Sequence, residues 1–376
     1  MSGKTDSSTP LIPIYIFRGH KDQINHLEFY QNNTRLISGD AGGIIIIWNM
    51  KTMRPTLQFK AHNEGILKCL FLNNKLISHG RDNLLKVWKI DRNSLNDDKR
   101  VITEEKIVEI KDDDDEPKLE KSLSVNSLNF CKFDYCFKGE NDQDILIALP
   151  SSKESAAIDV WNLSNQKRIL GFDGKREIGY CMAIKLFQHP TNKSEYLILS
   201  AFENGGVILW SFSSNKSKDD DVDEEWFSER LWSVKQHKET VLALDVSKNR
   251  KFAISTAGDN KIVKYNFNED FEKEPLINSI TIKSVGIADI KIRTDSKIFA
   301  TAGWDSKIRV FSSKSMKPLA ILSYHKESVY SLAFAHVYSQ EDNENTSIDN
   351  EIDERVLNHF LVGGGKDRRV SLWEIY

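Results

Sequence analysis

The stretch Leu76-Ile77-Ser78-His79-Gly80-Arg81-Asp82-Asn83-Leu84-Leu85-Lys86-Val87-Trp88 decides the fold. Two apolar residues lead to a small hydroxylated one, a short polar run holds a single Asp, and a second apolar segment alternates toward a closing aromatic. Alternation over so few residues belongs to a β-strand, and Gly80, Asp82 and Asn83 mark a tight turn between two strands. Asp82 lies six positions before Trp88, and Ser78 lies ten before it.

That register returns along the chain. It places Ser38, Gly42 and Trp48 in a first copy, Ser155 and Trp161 in a third, and Ser200, Asn204 and Trp210 in a fourth. Ser255, Asp259 and Tyr265 fall in a fifth, Thr301, Asp305 and Phe311 in a sixth, and Gly363, Asp367 and Trp373 in a seventh. A His precedes several copies, as His20, His62, His237 and His325. Closing aromatics recur at intervals of about 40 to 73 residues, beginning at the length of one four-stranded blade and growing where polar segments intervene. The pattern predicts an all-β fold, a seven-bladed WD-repeat β-propeller.

Each four-stranded sheet would have two faces to bury and no means of burying them alone, so the stack is stable only when it closes. Within a blade the spacing predicts a polar chain. The turn Asp accepts from the His at the entry of the first strand, the His reaches a Ser or Thr on the second, and that hydroxyl meets the indole N–H. A buried carboxylate is tolerable only with such partners. The members are His62, Ser78, Asp82 and Trp88 in the second blade, His237, Ser255 and Asp259 in the fifth, Thr301 and Asp305 in the sixth, and Asp367 in the seventh. Removing Asp82 or Asp305 is expected to orphan a buried His. Gly42 stands at the Asp position of the first blade and the third lacks both His and Asp, which leaves those two chains open. Although Asp, His and Ser have the composition of a hydrolase triad, a catalytic constellation occurs once and this one repeats. The expectation is a protein without catalytic site, metal, cofactor or small-molecule substrate.

Pro13 to Arg18 reads as a strand ahead of the first His, and the sequence stops at Tyr376 just after the third strand of the last copy. The first strand is expected to complete the last blade and remove an open edge. Residues 13–376 then form one propeller behind a disordered stretch, 1–12. Hydrophobic residues make up 40% and charged residues 28%, enough for a core inside a solvated exterior. A net charge of −3 gives no drive toward phosphate backbones or anionic lipid, so neither direct nucleic-acid binding nor membrane binding is expected. The opening MSGKTDSSTP has no apolar core of a signal peptide, and no apolar run approaches the roughly 18 residues that span a bilayer, so an intracellular protein is expected. Cys69, Cys131, Cys136 and Cys181 show no paired spacing and read as buried free thiols.

Three acidic segments, at about 91–122, 213–225 and 339–354, read as solvated loops, with an acidic docking site for a basic partner as the sharper alternative. Gly363-Gly364-Gly365-Lys366-Asp367 lacks the spacing of a phosphate loop and leads into a strand. The residue before each turn Asp is expected to project onto one face, which makes Arg81, Trp304 and Lys366 candidate partner-binding residues. A Trp in a tight polar turn either offers an interface anchor or lies over its own blade. A rival reading has the central channel gripping a histone tail, with Trp304 and Glu203 contributing.

These residues resemble a family, the fungal WD-repeat proteins called ASTRA-associated protein 1, which is similar to the guanine nucleotide-binding protein β-subunit-like protein 1 of animals. The likeness is most specific in Leu76 to Asp82, in Gly286 to Asp289 and Ile298 to Phe311, in Lys317 to Leu322, and in Lys366 to Trp373. It runs through nearly the whole chain apart from the acidic insertions. The resemblance implies a subunit of the chromatin-associated ASTRA assembly, linked to the TTT co-chaperone complex that matures phosphatidylinositol-3-kinase-related kinases. It further implies protein partners, indirect chromatin association, and residence in nucleus and cytoplasm. A signalling β subunit is a poorer match, because only about a dozen residues precede the first strand where a coiled-coil helix would be needed.

Overall fold

Isoleucine and valine runs such as Ile44-Ile45-Ile46-Ile47 set the strands, since β-branched side chains pack well on a pleated surface covered on both sides. The computed structural model describes residues 11–90, 117–139, 144–154, 156–174, 176–215, 225–338 and 359–375. Strand β1 (Tyr15–Phe17) comes first. The first blade is β2 (Ile24–Tyr30), β3 (Arg35–Asp40), β4 (Ile44–Asn49) and β5 (Arg54–Lys60). The second is β6 (Ile66–Leu72), β7 (Lys75–Gly80), β8 (Leu84–Lys89) and β9 (Lys118–Ser124). The third is β10 (Asp134–Phe137), β11 (Ile145–Pro150), β12 (Ile158–Asn162) and β13 (Lys167–Phe172), followed by a single 3-10 turn at Arg176–Ile178. The fourth is β14 (Cys181–Gln188), β15 (Glu195–Phe202), β16 (Gly206–Asn215) and β17 (Glu225–Lys235). The fifth is β18 (Val241–Val246), β19 (Phe252–Ala257), β20 (Lys261–Asn266) and β21 (Leu276–Thr281). The sixth is β22 (Ile287–Ile292), β23 (Ile298–Gly303), β24 (Lys307–Ser312) and β25 (Pro318–Ser323). The last is β26 (Val329–Phe334), β27 (Phe360–Gly365) and β28 (Val370–Glu374).

Six sheets follow chain order, and the seventh runs β1-β28-β27-β26. Tyr15, Ile16 and Phe17 pair antiparallel with Leu372, Ser371 and Val370, so the first strand closes the last blade. Inner strands touch in an arc from β10 through β14, β18, β22, β26 and β2 to β6. The fold is the seven-bladed propeller that the repeat predicts.

Apolar burial is divided among seven clusters, one at each seam between blades. At the closing seam, Phe17, Val362, Val370 and Leu372 pack on Ile24, Leu27, Ile46 and Trp48. Second strands such as β3, β19 and β23 are buried at every position, the signature of a sheet covered on both faces. Small residues there let neighbours close in: a Cβ on Gly39 would stand 2.5 Å from Cγ2 of Ile66 in the next blade.

Among the described residues no helix is long and apolar enough to cross a membrane. The first acidic segment is shorter than its sequence suggests, because Lys118 to Ser122 belong to β9, the outer strand of the second blade, paired with β8 on both sides of a bulge at Glu120. Alternation there is masked by charges on the solvent side. Residues 1–10, 91–116, 216–224 and 339–358, on which the expectations of a disordered terminus and of acidic loops mostly fall, lie outside the described residues, as does Ser155.

Candidate functional site

Polar chains fix the loops that build one face of the ring. In the second blade His62 Nδ1 lies 2.8 Å from Asp82 and Nε2 lies 2.7 Å from Ser78, whose hydroxyl accepts the Trp88 indole N–H at 2.8 Å. The fifth blade repeats this with His237, Asp259 and Ser255, the hydroxyl meeting Tyr265 at 3.0 Å. Burial pulls both His62 and His237 below the ordinary imidazole pKa, although Asp82 and Asp259 push the other way. With Ser78 and Ser255 wholly buried, no reacting atom can approach these hydroxyls.

Three blades depart from the sequence reading. The first blade completes its chain without an Asp at position 42: Asp40 contacts His20 at 2.7 Å and caps the amides of Gly42 and Ile44. Its Ser38 joins His20 to Trp48. In the sixth blade no His faces Asp305. Ser284 occupies the loop position and donates at 2.7 Å, while Arg309, directly opposite the buried Thr301, grips both carboxylate oxygens. The expectation that Asp305 holds a His is therefore corrected. In the last blade Asp367 holds His325, but the hydroxyl comes from Ser371, which bonds His325 and Trp373, each at 2.8 Å. Ser371 is the cross-strand partner of Gly363, and directly opposed residues share a face, so the hydroxyl reaches the same place from the neighbouring strand. The third blade carries Leu149 two residues from Ile147, the partner of Trp161, and shows no such chain among the described residues.

The residue before the turn Asp is anchored alike in successive blades. Arg81, Trp304 and Lys366 each donate a backbone N–H to the carbonyl of the loop entering their own blade, at Gly65, Gly286 and Ser328. Trp304 is 46% exposed, yet one face of its indole rests on Gly286, where φ is +79° and a Cβ would stand 2.0 Å from the ring. It thus lies over its own blade and presents its other face outward. The Arg81 guanidinium stacks 3.9 Å above the Phe130 ring. Lys366 is exposed, 3.8 Å from Glu327, and stands apart from the channel mouth.

A second device re-aims side chains into the channel. Six inner strands slip register by one residue just after they begin, at Ile24/His26, Ile66/Lys68, Cys181/Ala183, Val241/Ala243, Ile287/Asp289 and Val329/Ser331. The skipped residues, Asn25, Leu67, Met182, Leu242, Ala288 and Tyr330, all line a central cavity of about 740 Å³, as expected of bulges. That volume falls within the roughly 300–1,000 Å³ of ligand sites. Arg81, Phe130 and Trp304 stand at its mouth. Leu128, Tyr180 and Val285, from the entering loops, add exposed apolar surface on the same side. Five basic residues line the cavity (Lys68, Arg81, Lys132, Lys185, Lys291) against three acidic (Glu64, Asp134, Asp289). Glu203 is not among the lining residues, its carboxylate instead accepting from the Tyr180 amide.

Phe130, Lys132 and the bulged residues carry no repeat signal, because the entering loops differ in length and bulges leave strand alternation almost unchanged. Ser371 had one: a hydroxyl opposite a Gly in a blade lacking Ser on its second strand.

Residues 11–49 match the family model described as WD domain, G-beta repeat. An Aspergillus niger protein named ASTRA-associated protein 1 is 32% identical, covering 98% of this chain and 98% of its own. Its Penicillium rubens namesake is 30% identical over the same shares, and a mouse guanine nucleotide-binding protein subunit beta-like protein 1 is 27% identical over 97% and 96%. With full-length coverage at this identity, the chain belongs to the ASTRA-associated protein 1 family of WD-repeat propellers.

Proposed function

We propose that the protein is a non-catalytic adaptor of the ASTRA assembly, linked to the TTT co-chaperone complex that supports phosphatidylinositol-3-kinase-related kinases, and that it docks its partners on the face bearing Trp304. The observation that carries this reading is the gathering of Leu128, Phe130, Tyr180, Val285 and Trp304, all exposed and all from entering loops or turns, on one side of the ring. Exposed aromatics beside an Arg are the composition of interface anchors. The names of the relatives supply the assembly. Nuclear and cytoplasmic residence with indirect chromatin association follows from the same proposal. A channel rich in lysine disfavours a lysine-rich histone tail as occupant, since like charges repel across so short a distance.

Affinity purification of the tagged protein with mass spectrometry tests this, repeated with Trp304→Ala. The wild type brings down ASTRA and TTT subunits and the variant, still folded, loses at least one. Recovery of none of them by the wild type overturns the assembly, and identical recovery by both overturns the face.

A further inference from the structure

The lysines of the channel are not equally employed. Lys68 is paired with Asp134 at 2.9 Å, and Lys185 with Asp245 at 2.8 Å. Those carboxylates are occupied further: Asp134 accepts from the Leu186 amide and Asp245 from the Ile292 amide, tying each inner strand to the next blade. Asp289 accepts from the Leu332 amide in the same manner. Lys132 and Lys291 have no carboxylate within ion-pair distance among the described residues. Lys132 reaches from the loop entering the third blade to the Asn25 carbonyl of the first, at 3.3 Å, and so stands inside the ring with a second blade between its two ends.

His26 lines the same cavity, is 1% exposed, and neither of its ring nitrogens has a hydrogen-bond partner. Glu28 stands 3.9 Å from Nε2, beyond hydrogen-bond reach. Burial, then the charges of Lys132, Lys291 and Lys68, hold its pKa well below the ordinary imidazole value, the Cys69 backbone pulling weakly the other way. A neutral imidazole with a free N–H, beside two ammonium groups that reach no carboxylate at ion-pair distance among the described residues, is a donor set with capacity to spare. Burial pulls Lys132 below the usual lysine range, the charges of Lys291, Lys68 and Lys185 adding to it and Asp289 pushing the other way. Placing an anion there would supply what the chain withholds.

We propose that the channel receives an acidic side chain from a partner polypeptide, its carboxylate held by Lys132 and Lys291 beside the orphaned His26, with apolar neighbours of that side chain lying on Trp304 and Phe130. This rests on the reading of that face as the docking surface and adds the chemistry of what enters it. The occupant is a peptide because the cavity's mouth is apolar and aromatic while its interior is basic, an arrangement that selects one acidic residue between hydrophobic ones.

Fluorescence anisotropy of the full-length protein with a short labelled peptide of glutamates flanked by phenylalanine tests it. The wild type binds, and Lys132→Gln and Lys291→Gln each weaken binding at least about tenfold, as expected when one partner of a desolvated charge contact is removed. Lys291→Gln keeps the wild-type melting temperature, since that side chain makes no ion pair among the described residues, and Lys132→Gln lowers it slightly through loss of the bond to the Asn25 carbonyl while staying folded. The same peptide with glutamine in place of glutamate does not bind. Equal affinity of wild type and folded variants, or equal affinity for the glutamine peptide, overturns the proposal. Tighter binding of a labelled single-stranded oligonucleotide than of the acidic peptide also overturns it. Subunit capture lost in Trp304→Ala but unchanged in both lysine variants leaves the docking face standing and removes the channel from it.

Discussion

The second and sixth blades solve one problem with different groups. Each must tie its entering loop to its second turn and satisfy a turn carboxylate. In the second, a buried His bridges Asp82 and Ser78; in the sixth, Ser284 and Arg309 meet Asp305, and nothing aromatic lies between. The difference lies in burial. The Asp82 side chain is 9% exposed and its His partner wholly buried, whereas Asp305 is 23% exposed and its Arg309 partner 11%. What the fold requires is a satisfied carboxylate and a fastened loop, not a particular residue. The blade with the more solvated tie is also the one that displays Trp304.

The comparison breaks most readily at Asp82. Asp82→Ala leaves His62 buried without its acceptor and lowers stability by about 2 to 4 kcal/mol in urea unfolding; a loss under about 1 kcal/mol would mean that the chain is ornamental. Ser371→Ala strips both Trp373 and His325 of a buried partner and costs about 2 kcal/mol. Asp305→Ala costs about 1 kcal/mol, discounted for solvent, and a cost equal to that of Asp82→Ala would erase the distinction between the two blades.

Acid separates the blades by pH. His62 and His237 have folded pKa values below the unfolded one, so they favour the neutral form, and their contribution is present above about 6.5 and falls as pH drops below it. Burial would raise the Asp305 carboxyl, but hydrogen bonds from Arg309 and Ser284 outweigh it and hold the pKa at about 2. That contribution is intact above the unfolded carboxyl value near 4 and is lost as pH falls toward 2. Unfolding free energies of wild type and His62→Asn diverge less at pH 5 than at pH 7, while those of wild type and Asp305→Asn diverge equally at both. The smallest stability effect belongs to Trp304→Ala, under about 1 kcal/mol, because one indole face covers Gly286 while the other meets water; a loss as large as that of Asp82→Ala would make the indole chiefly a structural cover.

Blade number and closure were legible because both follow from local patterns: strand–turn–strand copies at a fixed register, and Ile14 to Phe17 matching a strand missing at the other end. The individual chains were less so. Asp40 lies two residues before the expected position, which an alignment on Gly42 passes over, and Ser371 sits on the wrong strand yet the right face. Arg309 reads as an ordinary strand cation until its carboxylate is seen. Of the candidate surface, Arg81 and Trp304 meet at the channel mouth and Lys366 does not. The channel's charge was not readable, since Lys68, Lys132, Lys185 and Lys291 come from four blades and only the bulges and the ring bring them together.

The central claim, that closed blades depend on one another, is tested most directly by native-state hydrogen exchange across the second strands of all seven blades as urea is raised. Amides of β3, β7, β11, β15, β19, β23 and β27 should merge onto a single opening free energy equal to that of global unfolding. A blade whose second strand opens independently, well below that value, would contradict the account.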